Sequence, residues 1–178
     1  MTNEIDELAR EVVESLRAVE GLLATVESCT GGLIAHRVTN VPGSSDVFWG
    51  SWVTYDNTAK VAVGVPMELI VAHGAVSEQV ARSMCDAGLA RLTTSLPNHH
   101  PAFCLATTGI AGPGGATDTK PVGLSYVGLA SSMGVTEVVR VLAPDTNDRT
   151  QNKQRFADEA LYLLLQALGA QHGPTGSL

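Results

Sequence analysis

Apolar runs of strand length alternate with helical periodicities along this 178-residue chain, and that interleaving predicts an α/β fold: a single layered α/β/α domain. Two further observations refine the expectation. The last two strand-like runs are separated only by Ser132-Met133-Gly134, which predicts a hairpin and hence a mixed rather than purely parallel sheet. The length suits one domain with a substantial core and is short for two. We expect that domain over residues 1–170, with 171–178 as a frayed tail.

The elements follow in order. Ile5, Leu8, Ala9, Val12, Val13 and Leu16 recur at spacings of three and four, which predicts an amphipathic first helix. Residues 22–26 read as a short buried strand that enters the loop Glu27-Ser28-Cys29-Thr30-Gly31-Gly32. A helix is expected over 32–40, stopped by Pro42-Gly43. Residues 47–55, rich in aromatic and β-branched side chains, predict a strand, and 57–63 a helix. Ser77 is placed to cap a long helix ending near Ser95. The polar stretch 97–101 reads as a surface loop, 103–107 as a buried strand, and 109–115 as a glycine-rich loop. Residues 123–130 and 135–142 form the hairpin, and a last helix covers about 147–168, burying Phe156, Ala160, Leu161, Leu164 and Leu165.

Composition narrows the function classes. Hydrophobic residues make up 44% and charged residues 16%, a globular balance. A formal net charge of −7 argues against a nucleic-acid partner, which normally meets a basic face. It leaves an anionic small molecule open, because a few cations in a cleft override the overall sign. Cys29, Cys85 and Cys104 are odd in number and without a CxxC pair, which favours free thiols in a reducing compartment. No basic and apolar leader and no apolar run of bilayer length is present, so a cytoplasmic protein without membrane contact is expected.

Four polar segments stand beside expected strands. Glu27-Ser28-Cys29-Thr30-Gly31-Gly32 reads as a helix cap or as an anion site built on the unpaired N–H groups of the following helix. Pro42-Gly43-Ser44-Ser45-Asp46 has the composition of a turn. Tyr55-Asp56-Asn57-Thr58-Ala59-Lys60 carries a lysine one helical turn inside a helix, where it is a solvated surface residue or, if buried beside a serine, a base for acyl transfer. The fourth, Thr107-Thr108-Gly109-Ile110-Ala111-Gly112-Pro113-Gly114-Gly115, departs from both the dinucleotide fingerprint and the P-loop. Backbone approaching a ligand closely accounts better for its glycines. The five histidines lack metal-ligand spacing, and neither a metal nor a cofactor is expected. Cys29 reads as a small buried thiol or as a nucleophile at a strand-to-helix turn.

Taken together and in order, these segments resemble the CinA C-terminal domain family. The matching text is Val26-Glu27-Ser28-Cys29-Thr30-Gly31-Gly32, Val41-Pro42-Gly43-Ser44-Ser45, Val53-Thr54-Tyr55-Asp56-Asn57-Thr58-Ala59-Lys60, His73-Gly74-Ala75-Val76-Ser77, and Thr108-Gly109-Ile110-Ala111-Gly112-Pro113 through Lys120-Pro121-Val122-Gly123. Free-standing members of that family are nicotinamide mononucleotide deamidases, so the resemblance implies a metal-free serine–lysine amidase acting on a small nucleotide. It implies Ser45, rather than its neighbour Ser44, as nucleophile, Lys60 as general base and Tyr55 as an orienting or proton-relaying group. It places Ser28, Thr30, Gly31, Gly32, Thr108, Gly109 and Arg149 around the substrate. A homo-oligomer is the expected assembly. The chain departs from the family pattern at Gly114, at Thr117-Asp118-Thr119 and at Asn147-Asp148-Arg149. The nucleotide-hydrolysing domain that often precedes this family's motifs has no counterpart in the sequence, and no pyrophosphatase activity is expected. The alternatives are an amidase working through Cys29, and a nucleotide-binding or competence-related interaction module without catalysis.

Overall fold

A computed structural model of the chain describes residues 6–95, 100–144 and 148–171. Ile5, loop residues 97–99, Asn147 and the tail beyond Gln171 lie outside the described residues. Asp6 opens the first helix, α1 (Glu7–Ala18), by accepting the Ala9 N–H at 3.2 Å. Strand β1 (Leu22–Glu27) leads through the Glu27 to Gly32 segment into α2 (Leu33–Thr39). A 3₁₀ turn (Ser44–Asp46) precedes β2 (Phe48–Val53), followed by α3 (Asn57–Val63). Next come α4 (Met67–His73), α5 (Glu78–Thr94), β3 (Ala102–Gly109), β4 (Leu124–Ser131), β5 (Thr136–Leu142) and α6 (Arg149–Gln171).

The expected α/β/α layering and mixed sheet are present, as is the Ser77 cap, whose hydroxyl accepts the Val80 N–H at 3.3 Å. Two details differ. The second strand is shorter at both ends than 47–55, and α4 has no counterpart among the sequence expectations. Seven residues behind Pro66 hold too few apolar positions to show a period.

The strands are ordered β2-β1-β3-β4-β5, with the first three parallel and the last two added antiparallel. The chain leaves β1 for β2 on one side and returns to β3 on the other. Such a reversal opens a crevice at the carboxyl ends of the two strands, where open α/β sheets bind ligands. Registers bring those ends level: Glu27 pairs with Val53 across β1/β2 and with Thr107 across β1/β3. The residues that follow, Ser28, Thr54 and Thr108, therefore emerge side by side.

The two sheet faces are built differently. Leu23, Phe103, Leu105, Val127 and Leu129 meet α1, α2 and α6 through Val12, Leu16, Ile34, Phe156 and Leu161. On the other face, Ala24, Ala102, Cys104, Ala106 and Ala130 are small, so α5 sits close to the strands. A β-carbon on Gly88 would stand 2.5 Å from Cys104 Sγ and 2.6 Å from Val26 Cγ2. α6 starts with a reciprocal cap: Asp148 N–H donates to Gln151 Oε1 and Gln151 N–H to Asp148 Oδ1, both at 2.8 Å. That pins its first turn beside the crevice.

Candidate active site

The crevice is a cleft of about 250 Å³, lined by Ser28, Tyr55, Lys60, Thr108 and the Gly109–Gly115 loop, with Ala75 and Val76 on one wall and Arg149 on the rim. Lys60 is its central feature. It sits on α3 one turn past the Asp56 cap, whose carboxylate accepts the Thr58 N–H at 2.8 Å. Only 1% of Lys60 is exposed. Its Nζ lies 2.9 Å from Ser28 Oγ, 2.8 Å from the Thr54 carbonyl and 3.4 Å from the Tyr55 carbonyl. No described carboxylate forms an ion pair with it. Burial is the main cause of a pKa below the ordinary lysine value, opposed more weakly by Cys29 and Asp56. The amine donates to all three oxygens; on losing one proton it would keep two N–H groups for the two carbonyls and turn a lone pair to the Ser28 hydroxyl.

Ser28 is held by its own backbone, with its N–H donating to the Thr107 carbonyl at 2.9 Å. Glu27 fixes the turn beyond it. Its fully buried carboxylate accepts the N–H groups of Gly32 (2.9 Å), Ile34 (3.1 Å) and Ala35 (2.9 Å) and the hydroxyls of Thr30 (2.7 Å) and Thr25 (3.2 Å). The start of α2 thus already has its anion. Of the three expected substrate contacts in this turn, Gly32 gives its N–H to that carboxylate, Gly31 gives its N–H to the Ser28 carbonyl at 3.1 Å and Thr30 is fully buried; none of the three is among the residues that line the cleft.

Ser45 also requires correction as the partner of Lys60. It is exposed in the 3₁₀ turn that precedes β2, whereas Lys60 follows the far end of that strand. Five residues at about 3.3 Å each separate those ends by roughly 16 Å. Ser44 is buried in the same turn, and neither serine lines the cleft. Lys60 is instead paired with Ser28, which the sequence had placed only among the substrate contacts.

The remaining expected residues converge on the cleft. Tyr55 is exposed, and its Oη accepts from Arg149 Nη2 at 2.7 Å; Arg149 Nη1 donates to the Gly112 carbonyl at 2.5 Å. Thr108 Oγ donates to the Ala75 carbonyl at 2.7 Å, tying the wall after α4 to the end of β3. Asn57, Ala75 and Val76 were not assigned to the site from sequence, whereas the glycine-rich loop, expected to approach a ligand closely, lines the cleft. Cys29 lines the cleft but is 5% exposed, and burial pushes its thiol up to about 11. Its Sγ lies 3.8 Å from Ser125 Oγ, and hydrogen bonds to Ser125 and Thr107 offset the burial only in part. Among the described residues, no three His, Cys, Asp or Glu side chains gather as a metal-binding group.

Residues 5–168 match the model of the CinA C-terminal domain. The chain belongs to that family. A CinA-like protein of Chloroherpeton thalassium is 45% identical over 166 residues, covering 92% of this chain and 38% of that protein. One from Chlorobium phaeovibrioides is 46% identical over 166 residues, covering 90% and 37%. The chain thus spans well under half the length of these curated relatives. Among solved structures, the competence/damage inducible protein CihA of Agrobacterium tumefaciens superposes with a TM-score of 0.83 at 36% identity, covering 95% of this chain and 98% of that one. A CinA superfamily protein of Escherichia coli gives 0.82 at 26% identity, with 93% and 91% covered. This member of the CinA C-terminal domain family therefore shares its fold with those solved chains over more than nine-tenths of its length. Among its described residues, no helix is long and apolar enough to cross a membrane.

Proposed function

We propose that this chain is a serine–lysine amidase that converts nicotinamide mononucleotide and water to nicotinic acid mononucleotide and ammonia, with Ser28 as nucleophile. The observation that carries this reading is the buried Lys60 amine, 2.9 Å from the Ser28 hydroxyl and without an acidic partner. A lysine used only for structure or solubility has no reason to be withdrawn from water beside a serine.

Ser28 Oγ attacks the carboxamide carbon, made more electrophilic by the positive pyridinium ring, as Lys60 Nζ takes the hydroxyl proton. Collapse of the tetrahedral intermediate breaks the C–N bond, and Lys60 returns the proton to the departing ammonia. The resulting ester on Ser28 is released by water, with Lys60 again accepting a proton. Because the Ser28 N–H is committed to Thr107, the oxyanion must be met by other backbone donors, from the turn after Ser28 and the glycine-rich loop. Each such donor is typically worth about 3–4 kcal/mol in the transition state. Arg149, joined to Tyr55 at the rim, contributes positive charge toward an anionic substrate in a chain of net charge −7.

Ammonia release from nicotinamide mononucleotide, compared with free nicotinamide, tests the reading. The nucleotide should react much faster, because binding of its ribose phosphate helps hold the amide at Ser28. Equal rates on the two compounds would remove the nucleotide from the proposal. Binding of the nucleotide without ammonia release would favour a binding module.

A further inference from the structure

Lys153 lies one turn beyond Arg149 along α6, on the side that faces the turn after Ser28. It is half-buried and, among the described residues, makes neither a hydrogen bond nor an ion pair. Its Nζ rests 3.7 Å from the position a β-carbon would take on Gly31, three residues after Ser28, where φ is +64°. The carboxylates nearby on the same helix are engaged elsewhere: Asp148 caps the Gln151 N–H, Asp158 pairs with Arg37 and Glu159 with Arg155. A lysine amine with no carboxylate against it keeps its donors open to an anionic ligand.

We infer that Lys153, together with Arg149, holds the phosphate of the nucleotide, which makes Lys153 a specificity-determining residue. Arg149 already spends one N–H on Gly112 and one on Tyr55, so its guanidinium is oriented before substrate arrives. Lys153 adds a second charge across the bare backbone of Gly31. With glycine there, the phosphate can approach without meeting a side chain. This inference rests on the amidase reading for its substrate but concerns a different end of that substrate.

The test compares nicotinamide mononucleotide with nicotinamide riboside, which lacks only the phosphate, on wild type, Lys153→Met and Lys153→Arg. Lys153→Met should lower kcat/KM for the nucleotide by roughly 10- to 100-fold, the size of a lost charge-assisted contact, mainly through KM. The riboside should change less than about twofold, within the range of a neutral surface substitution, and Lys153→Arg should recover most of the nucleotide rate. Equal losses on both substrates, or no loss on either, would overturn the assignment. If wild type hydrolyses neither compound, the amidase reading falls instead. The anion site is then decided by titrating inorganic phosphate into wild type and Lys153→Met: weaker binding to the variant supports it, and equal binding overturns it.

Discussion

Ser28 and Ser45 both lie in short polar turns that flank a parallel strand, and the surroundings of the two turns are opposite. Ser28 follows β1 at the carboxyl end of the sheet, is 7% exposed, and has a buried lysine amine within 2.9 Å. Ser45 stands at the other end, before β2, exposed in a turn braced by Arg17, which donates to the Gly43 carbonyl at 2.5 Å and to Asp46 at 3.1 Å. The Ser28 turn is held by a buried carboxylate accepting five hydrogen bonds, the Ser45 turn by an exposed ion pair. A hydroxyl becomes a nucleophile through the base that faces it and the dielectric around that base, and only the first turn supplies both.

Substitution of the two serines gives the widest separation. Ser28→Ala should cut turnover by about 10⁴-fold or more, as removal of a covalent nucleophile does. Ser45→Ala should stay within about twofold, as expected of an exposed residue outside the site. Steady-state ammonia release measures both, and the reverse pattern would return the nucleophile to the second turn.

Lys60 provides the next largest effect. Arginine keeps its charge but does not give up a proton, so Lys60→Arg and Lys60→Met should both lose about 10²- to 10⁴-fold in kcat. Recovery of most turnover by arginine would make Lys60 an electrostatic anchor rather than a base. The pH profile carries the same point. Catalysis needs the neutral amine, so kcat/KM should rise with pH as the proton leaves. Because burial lowers the Lys60 pKa, the midpoint should fall below the ordinary lysine value of about 10.4. A limb centred at or above that value would contradict the buried-amine account.

Stability separates the turns by a smaller margin. Glu27→Gln replaces a carboxylate with an amide whose N–H₂ faces backbone donors, and should cost about 1–3 kcal/mol in urea unfolding. Arg17→Ala removes only an exposed pair and should cost less than about 1 kcal/mol. Equal losses would show that the first turn is no better fixed than the second. Cys29→Ala, with a thiol held near 11 and largely protonated at neutral pH, should keep most of the activity. An inactive Cys29→Ala that still binds the nucleotide would favour the thiol mechanism.

Much of the fold was legible because its signals are local. Strand-length apolar runs, the Ser77 cap and the Ser132-Met133-Gly134 turn each sit within a few residues of what they determine. Tyr55, Lys60, Thr108, Gly109 and Arg149, expected around the substrate from the family resemblance, all line the cleft. The partner of Lys60 was not legible. Ser28 meets it only because β2 lies beside β1 with Glu27 opposite Val53, and because α3 turns back over the strand ends. Nothing in the spacing of the two residues encodes that register. The role of Glu27 was equally hidden, since an acid before a Gly-Gly pair reads as exposed until the helix closes over it.

The most direct test of the Ser28–Lys60 pair is the site of acylation. Wild type and Cys29→Ala, quenched in acid during turnover of nicotinamide mononucleotide and cleaved with trypsin, yield separate peptides for the two turns, because Arg37 lies between them. Mass spectrometry should find the nicotinate-mononucleotide acyl group on the peptide between Arg17 and Arg37, on Ser28, and it should persist in Cys29→Ala. An adduct on the peptide between Arg37 and Lys60, or one that vanishes when Cys29 is removed, would contradict the account.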